Sequence, residues 1–355
     1  MDEKKALIAM SGGVDSSVAA FLMQQKGFLC VGATMRMCDD ALLGGECPDP
    51  SADAKAVADR LGIPFHVFDT CQDFKKHVVD DFIASYEQGD TPNPCIRCNK
   101  TMKFGVLLEK ALALGCDHIV TGHYARIEKD TETGRFLLKK AVDENKDQTY
   151  FLACLNQEQL SKILLPLGEL TKAEAREIAE AQGFVTARKR DSQDICFIPD
   201  GDYKAFMERY TKKVYPCGDY LDLEGNVLGR HQGAVGYTLG QRKGLGIALG
   251  EPAYVCAKDM ENNTVTLGKN EDLFKKTLRA KDWNFMPFEE LTEPMRVLAK
   301  VRYRHTPQPA TVYPEENGVI QVEFDEPQRA ITTGQAVVLY DGDMVIGGGT
   351  ITEVI

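Results

Sequence analysis

The sequence predicts an α/β protein: a doubly wound parallel sheet, followed by a small β-rich central domain and a C-terminal β-barrel. Three observations carry that expectation. Apolar strand-like runs alternate with helical periodicity from residue 1 to about 125; past about 210 the texture changes to short strands broken by glycines; from 252 to 355 alternating runs recur between turn residues. Alternating strands and helices build a parallel sheet, whereas short alternating strands build sandwiches and barrels. The implied units are 1–210, 211–275 and 276–355.

In order, strand-like runs fall at 6–10, 29–35, 64–68 and 118–121, separated by helical patterns at 14–26, 51–62, 73–87 and 102–114. Ligands of such sheets bind at the C-terminal strand ends. Met35 and Gly122-His123 therefore share a rim with the segment after the first strand, Ser11-Gly12-Gly13-Val14-Asp15-Ser16-Ser17. A strand running through glycines into a helix gathers backbone N–H groups around one point, which suits an anion. Gly12 and Gly13 let the backbone approach a ligand, and the hydroxyls of Ser11, Ser16 and Ser17 can donate to phosphate oxygens. The Gly-Lys-Ser/Thr of a P-loop is missing, so γ-phosphate transfer is not indicated. Asp15 either holds a metal, orients the loop, or serves as a structural carboxylate at the helix start.

Residues 38–50, with Cys38 and Cys47, read as a surface loop or a lid. A hairpin is expected over 125–140, helices near 156–163 and 171–182, and a second hairpin around Leu221–Val227. The glycines of 240–246 favour a tight turn over an RNA-facing loop.

The formal net charge of −11 excludes a general polyanion binder, so nucleic-acid contact needs a local basic surface. Residues 296–305 hold Arg296, Lys300, Arg302 and Arg304 without an acid, and 97–103 hold Arg97, Lys100 and Lys103. Val301-Arg302-Tyr303-Arg304-His305 reads as a strand alternating basic and aromatic groups, suited to phosphates and a stacked base; a solvated strand face looks much the same. The first thirty residues carry neither a signal-peptide core nor a membrane span, so a cytoplasmic protein with no membrane partner is expected.

Eleven scattered cysteines, an odd number, indicate reducing surroundings rather than a disulfide framework. Cys30, Cys116, Cys154 and Cys256 read as core residues. Thr91-Pro92-Asn93-Pro94-Cys95-Ile96-Arg97-Cys98-Asn99-Lys100 instead sets two cysteines at a helix start, where the helix N-terminus, Arg97, Lys100 and Lys103 predict lowered thiol pKa values. Cys196, in Asp191–Phe197, follows the basic run Arg188-Lys189-Arg190. A lone CxxC also arises incidentally, and a structural zinc site would need a fourth ligand that the sequence does not identify.

Ser11–Ser17 resembles the PP-loop of the ATP pyrophosphatase superfamily, whose members cleave ATP between the α- and β-phosphates and adenylate a substrate. Together with Thr91–Lys100, Thr121–Ala125, Lys146-Asp147-Gln148, Asp191–Phe197 and Tyr237–Gly246, the chain resembles the tRNA-specific 2-thiouridylase family over nearly its whole length. The resemblance implies ATP binding by Ala9, Met10, Ser11, Gly12, Gly13, Val14, Asp15, Ser16, Met35 and Gly122, with Mg2+ screening the phosphates. It implies that Asn93, Pro94 and Cys95 surround a flipped target base, and that His123, Lys146, Asp147, Gln148 and Gln335 contact tRNA, beside Arg302, Tyr303 and Arg304 read from the residues themselves. The substrate implied is tRNA with uridine at the wobble position, whose C2 oxygen is activated by adenylation and replaced by sulfur. Cys196 carries a persulfide supplied by a sulfur-donor protein (a cysteine desulfurase or relay), Cys98 is its catalytic partner, and a Cys98–Cys196 disulfide forms on release.

The chain departs from the family at Cys95, where an aspartate more often stands. Cys95, Cys98 and Cys196 thus form a three-thiolate set able to hold a [4Fe–4S] cluster with one open iron, a rival for the sulfur step. Another adenylating enzyme, such as a tRNA lysidine synthetase or a small-molecule amidotransferase, would leave the three cysteines unexplained. A non-catalytic RNA-binding protein with a zinc or redox-sensing site is the alternative of a different class.

Overall fold

The computed structural model describes residues 4–39, 42, 51–189 and 195–355; Cys47 and Asp191-Ser192-Gln193-Asp194 lie outside the described residues. Five parallel strands form the first sheet in the order Phe65–Asp69, Leu29–Arg36, Lys5–Ala9, His118–Val120, Ile163–Leu164. Ala6, Leu7 and Ile8 are wholly buried, because helices cover both faces and a strand there reads as an unbroken apolar run. Val18 and Ala19 of the helix Val14–Gln25 pack with Val57 and Ala179 on one side, while Leu107 and Ala111 pack with Tyr150 and Leu160 on the other. The strand order reverses between Lys5–Ala9 and His118–Val120, so the glycine loop after the first and Gly122 after the second flank the switch point where such sheets bind ligands.

Helical backbone runs over 94–113, eight residues earlier than the periodicity alone indicates. Asn93 is its N-cap, accepting the Ile96 N–H at 3.3 Å, and Pro94 takes the first helical position, where a missing N–H costs nothing. Within it, Asn99–Val106 is wound as an i→i+5 turn. A helix not expected from the sequence, Tyr203–Thr211, begins at Asp202, whose carboxylate accepts the Ala205 N–H at 2.9 Å.

The central unit is a four-stranded sheet ordered Tyr254–Asp259, Thr264–Gly268, Gly218–Leu221, Val227–His231, parallel only at its middle pair. After it, Phe274–Phe285, Ile320–Arg329, Gln308–Pro314, Met295–Lys300, Ala336–Asp341 and Met344–Val354 form an antiparallel barrel, closed by pairing of the first with the last. Its inward positions, among them Leu278, Val297, Ala299, Val312, Val322 and Leu339, alternate along the strands as the pleat requires.

Two features depart from the expected plan. Val301–His305 is not a strand: the strand stops at Lys300 and the chain turns, with His305 N–H donating to Arg302 O at 3.1 Å. The hairpin Arg126–Lys129/Phe136–Lys139 forms as expected but extends the barrel sheet, Lys139 pairing with Met344. Arg135 seals this junction by donating to the carbonyls of Phe285, Met286 and Phe288 at 3.1, 2.7 and 2.9 Å. Among the described residues no helix is long and apolar enough to cross a membrane.

Candidate active site

The first strand delivers the chain into a loop whose groups largely hold one another. Gly12 has φ of 67°, a conformation that disfavours a side chain, and Gly13 caps the following helix. Ser16 Oγ receives the Ser11 N–H at 3.2 Å and lies 3.2 Å from Gly13 O. Ser17 corrects the sequence reading: it has no exposed surface, its hydroxyl donates to Gly13 O at 2.8 Å and lies 3.0 Å from Thr186 Oγ1, so it braces the loop from behind. Ser11 is the exposed hydroxyl of the three. Gly122 packs against the helix start so closely that a Cβ would stand 2.7 Å from the Asp15 carbonyl carbon and 2.8 Å from Ser16 N.

Asp15 makes no N-cap bond. Its carboxylate accepts from Lys172 Nζ at 2.7 and 2.8 Å and from Tyr124 Oη at 2.9 Å, a largely buried ion pair that fixes the loop to the helix Lys172–Ala181. Lys189 Nζ donates to Gly12 O at 3.0 Å and to Asp53 at 2.8 Å. Sequence reasoning missed both lysines in this role. Lys172 lies within the capping box of Thr171 and Glu174, a signal for a helix start but not for a partner 157 positions away. Lys189 lay inside a basic run credited to Cys196.

Cys98 is buried in an apolar cluster with Met102 and Phe197. Phe197 anchors its neighbour Cys196, packing 5.6 Å from Phe74, 5.4 Å from Phe82 and 5.3 Å from Phe206. The two distant segments thereby meet, and the Cys95, Cys98 and Cys196 thiols feel one another's charge. The expected lowering of thiol pKa does not occur. Loss of solvation dominates, pushing the buried Cys98 up to about 11; surrounding protein also raises Cys95 and pushes Cys196 up to about 12, although both keep exposed surface. The neighbouring cations are also fewer than the sequence implied: Arg97 turns away to His77 O at 3.1 Å and to Asp81 at 3.6 Å, and Lys100 acts on Cys154. Lys103 opposes the rise at all three thiols.

The residues matched to RNA contacts divide. Lys146, Asp147, Gln148, Tyr303 and Arg304 line a cavity of about 2010 Å³ that also holds the glycine loop, Met35 and Cys196. Among the described residues, eight lysines and arginines against six carboxylates give its wall a positive excess within an acidic protein. Tyr303 packs against Phe151 with ring centres 4.3 Å apart and planes tilted by 39°, and Lys300 lies 5.4 Å from the Tyr303 ring. Asp147, however, is buried and accepts the Thr149 hydroxyl at 2.7 Å, and Gln148 Oε1 accepts the Tyr124 N–H at 2.9 Å. His123 is buried between Thr121, 2.7 Å from Nδ1, and Lys103, 3.3 Å from Nε2; burial holds its pKa well below the ordinary value. Arg302 points to the barrel, donating to Leu239 O, Ala330 O and Thr332 Oγ1 at 3.1, 2.9 and 2.7 Å. Gln335 donates to Thr91 O at 2.7 Å and Pro92 O at 3.2 Å, clamping the loop that leads to Asn93-Pro94-Cys95.

The implied groups fit unequally. Ala9, Met10 and Val14 build the strand and helix on either side of the anion cradle. Asp15, committed to Lys172, does not fit as a magnesium ligand. Among the described residues no three His, Cys, Asp or Glu side chains converge at the spacing of a single bound metal ion.

Residues 4–200 match a family model described as a tRNA methyl transferase HUP domain, 204–269 a tRNA methyl transferase PRC-barrel domain, and 275–351 an aminomethyltransferase β-barrel domain. The tRNA-specific 2-thiouridylase MnmA of Clostridioides difficile (strain 630) is 52% identical over 355 residues, covering 99% of this chain and 98% of that protein. Its counterpart in Acetivibrio thermocellus is 50% identical over 358 residues, covering 99% and 100%. Among solved structures, a U34-tRNA thiolase, NcsA from Methanococcus maripaludis, aligns at a TM-score of 0.35 and 16% identity over 59% of this chain and 70% of that one, too slight a likeness to support any argument. The chain belongs to the tRNA-specific 2-thiouridylase family.

Proposed function

We propose that this protein is a tRNA-uridine 2-sulfurtransferase, replacing the C2 oxygen of the wobble uridine by sulfur while ATP becomes AMP and diphosphate. The observation that carries the reading is one cavity whose wall includes both the anion cradle and Cys196, with Cys98 in the same apolar cluster as Phe197. A uracil carbonyl oxygen leaves poorly. Attack of that oxygen on the α-phosphorus expels diphosphate and makes the oxygen part of a good leaving group, AMP. The helix N-terminus at Gly13 and the Ser11 hydroxyl would hold the phosphates; magnesium riding on ATP would screen their charge.

The terminal sulfur of a Cys196 persulfide then attacks C2 and AMP departs. Cys98 displaces the transferred sulfur from Cys196, leaving a Cys98–Cys196 disulfide for a dithiol reductant. A sulfur-donor protein reloads Cys196, and the working units are 1–210, 211–275 and 276–355. Protein carrying a Cys196 persulfide, given ATP and unmodified tRNA, should yield 2-thiouridine and AMP in a single turnover. Stoichiometric iron in anaerobically prepared protein, lost in Cys95→Ser together with thiolation, would overturn the persulfide route in favour of a cluster. Absence of tRNA-dependent AMP would overturn the reaction itself.

A further inference from the structure

Lys103 takes no part in the reaction proposed above, yet it stands at the sulfur centre. It follows Cys98 by five positions in the stretch wound as an i→i+5 turn. An ordinary α-turn aligns residues three and four apart, whereas this turn brings residues five apart over one another, and such turns concentrate at functional sites. Its ammonium lines the cavity that Cys196 lines and is held 3.3 Å from His123 Nε2. Because Nε2 accepts from Lys103, the ring proton sits on Nδ1 and donates to Thr121 Oγ1, 2.7 Å away. His123 is buried, packs 5.9 Å from Phe104, and is held neutral. An unprotonated imidazole fixes the lysine without cancelling its charge.

We propose that Lys103 is the counter-cation of the sulfur centre, positioned by Thr121 and His123, and that it stabilises the Cys98 thiolate while Cys98 attacks Cys196. The inference rests on the thiolation reading above. In this step the Cys98 sulfur bonds to Cys196 Sγ, and the bond from Sγ to the transferred sulfur breaks. The electron pair leaves on that transferred sulfur, which becomes the thiocarbonyl sulfur of the base. A dithiol reductant returns the disulfide to two thiols with two electrons and two protons. Negative charge thus starts on the Cys98 sulfur, in an apolar cluster where burial opposes it, and ends on the transferred sulfur. Among the described residues, the charged and titratable groups facing Cys98 are Lys103, Cys95 and Cys196, with Arg97 turned to Asp81 and Lys100 acting on Cys154.

The test compares Lys103→Gln, Lys103→Met and Lys103→Arg in the full-length, freshly reduced protein. The Cys98 thiol midpoint, about 11 in the parent, is followed through iodoacetamide alkylation rates between pH 7 and 10, resolved by mass spectrometry, where each unit of upward displacement slows alkylation about tenfold; no substrate is needed. Both neutral variants should move its midpoint upward by about one pH unit or more, while Lys103→Arg stays within about half a unit. Single-turnover thiolation should slow about tenfold or more at pH 7 in the neutral variants and recover toward the parent rate as pH rises. A midpoint unmoved in both would overturn the proposal. So would loss of AMP formation in step with thiolation, which would make Lys103 a nucleotide or RNA contact. A parent protein without tRNA-dependent AMP formation would sink the thiolation reading alone, since a displaced alkylation midpoint would still place Lys103 beside the Cys98 thiolate.

Discussion

At the scale of single residues, close approach and burial decide most of what the site can tolerate. Gly122→Ala would drive a methyl into the backbone of Asp15 and Ser16, which cannot retreat without moving the helix start. It should destabilise the protein by about 1–3 kcal/mol in thermal unfolding and weaken ATP binding at least about tenfold by calorimetry. His123 makes a second prediction. Its imidazole is held neutral in the fold but takes a proton near its ordinary pKa when unfolded, so below that pH the unfolded state binds more protons. Stability should therefore fall with falling pH by about 1.4 kcal/mol per unit from this residue, and His123→Gln should flatten that slope in urea titrations between pH 5 and 7. The sequence placed Met35 and Gly122 on the same rim as Ser11–Ser17, because strand ends are linear information. It misjudged the thiols and Ser17, because neighbours along the chain reveal charge but not burial.

At the scale of elements, the helix over 94–113 and its approach loop present two of the cysteines of the proposed chemistry, and they are held from outside. Thr91 N–H donates to Thr333 O at 3.0 Å, Gln335 binds the carbonyls of Thr91 and Pro92, and a Cβ on Gly334 would strike Asp90 and Thr91. The barrel thus sets the angle at which Asn93, Pro94 and Cys95 enter the helix. Gln335→Ala removes two of these bonds and should cost about 1–2 kcal/mol, with single-turnover thiolation reduced more than tRNA affinity; an equal loss of affinity would instead make Gln335 an RNA contact. The helix start was legible in Asn93-Pro94, a cap followed by a residue that needs no donor. The turn at 301–305 was not, since alternating basic and aromatic residues suit a strand and a tight turn equally, and barrel closure chose between them.

At the scale of the whole molecule, charge is unevenly distributed, and Arg302 and Arg304 separate its two uses. Arg304 is exposed on the cavity rim, whereas Arg302 ties the barrel to the central unit at Leu239. Arg304→Ala should weaken tRNA binding and reduce the slope of log affinity against log salt by about one; Arg302→Ala should lower the unfolding temperature and leave that slope nearly unchanged. The fold class was legible because alternation and texture are whole-chain properties. The union of the early hairpin with the barrel was not, since pairing across such a separation leaves no local pattern. That union also has a temporal side. Arg126 bonds Asp343 at 2.6 Å across 217 positions, and synthesis at about 5–20 residues per second leaves the hairpin waiting roughly ten to forty seconds for its partner strand. During that interval the nascent amino-terminal half carries an open sheet edge. That edge is covered only once the strand Met344–Val354 has left the ribosome.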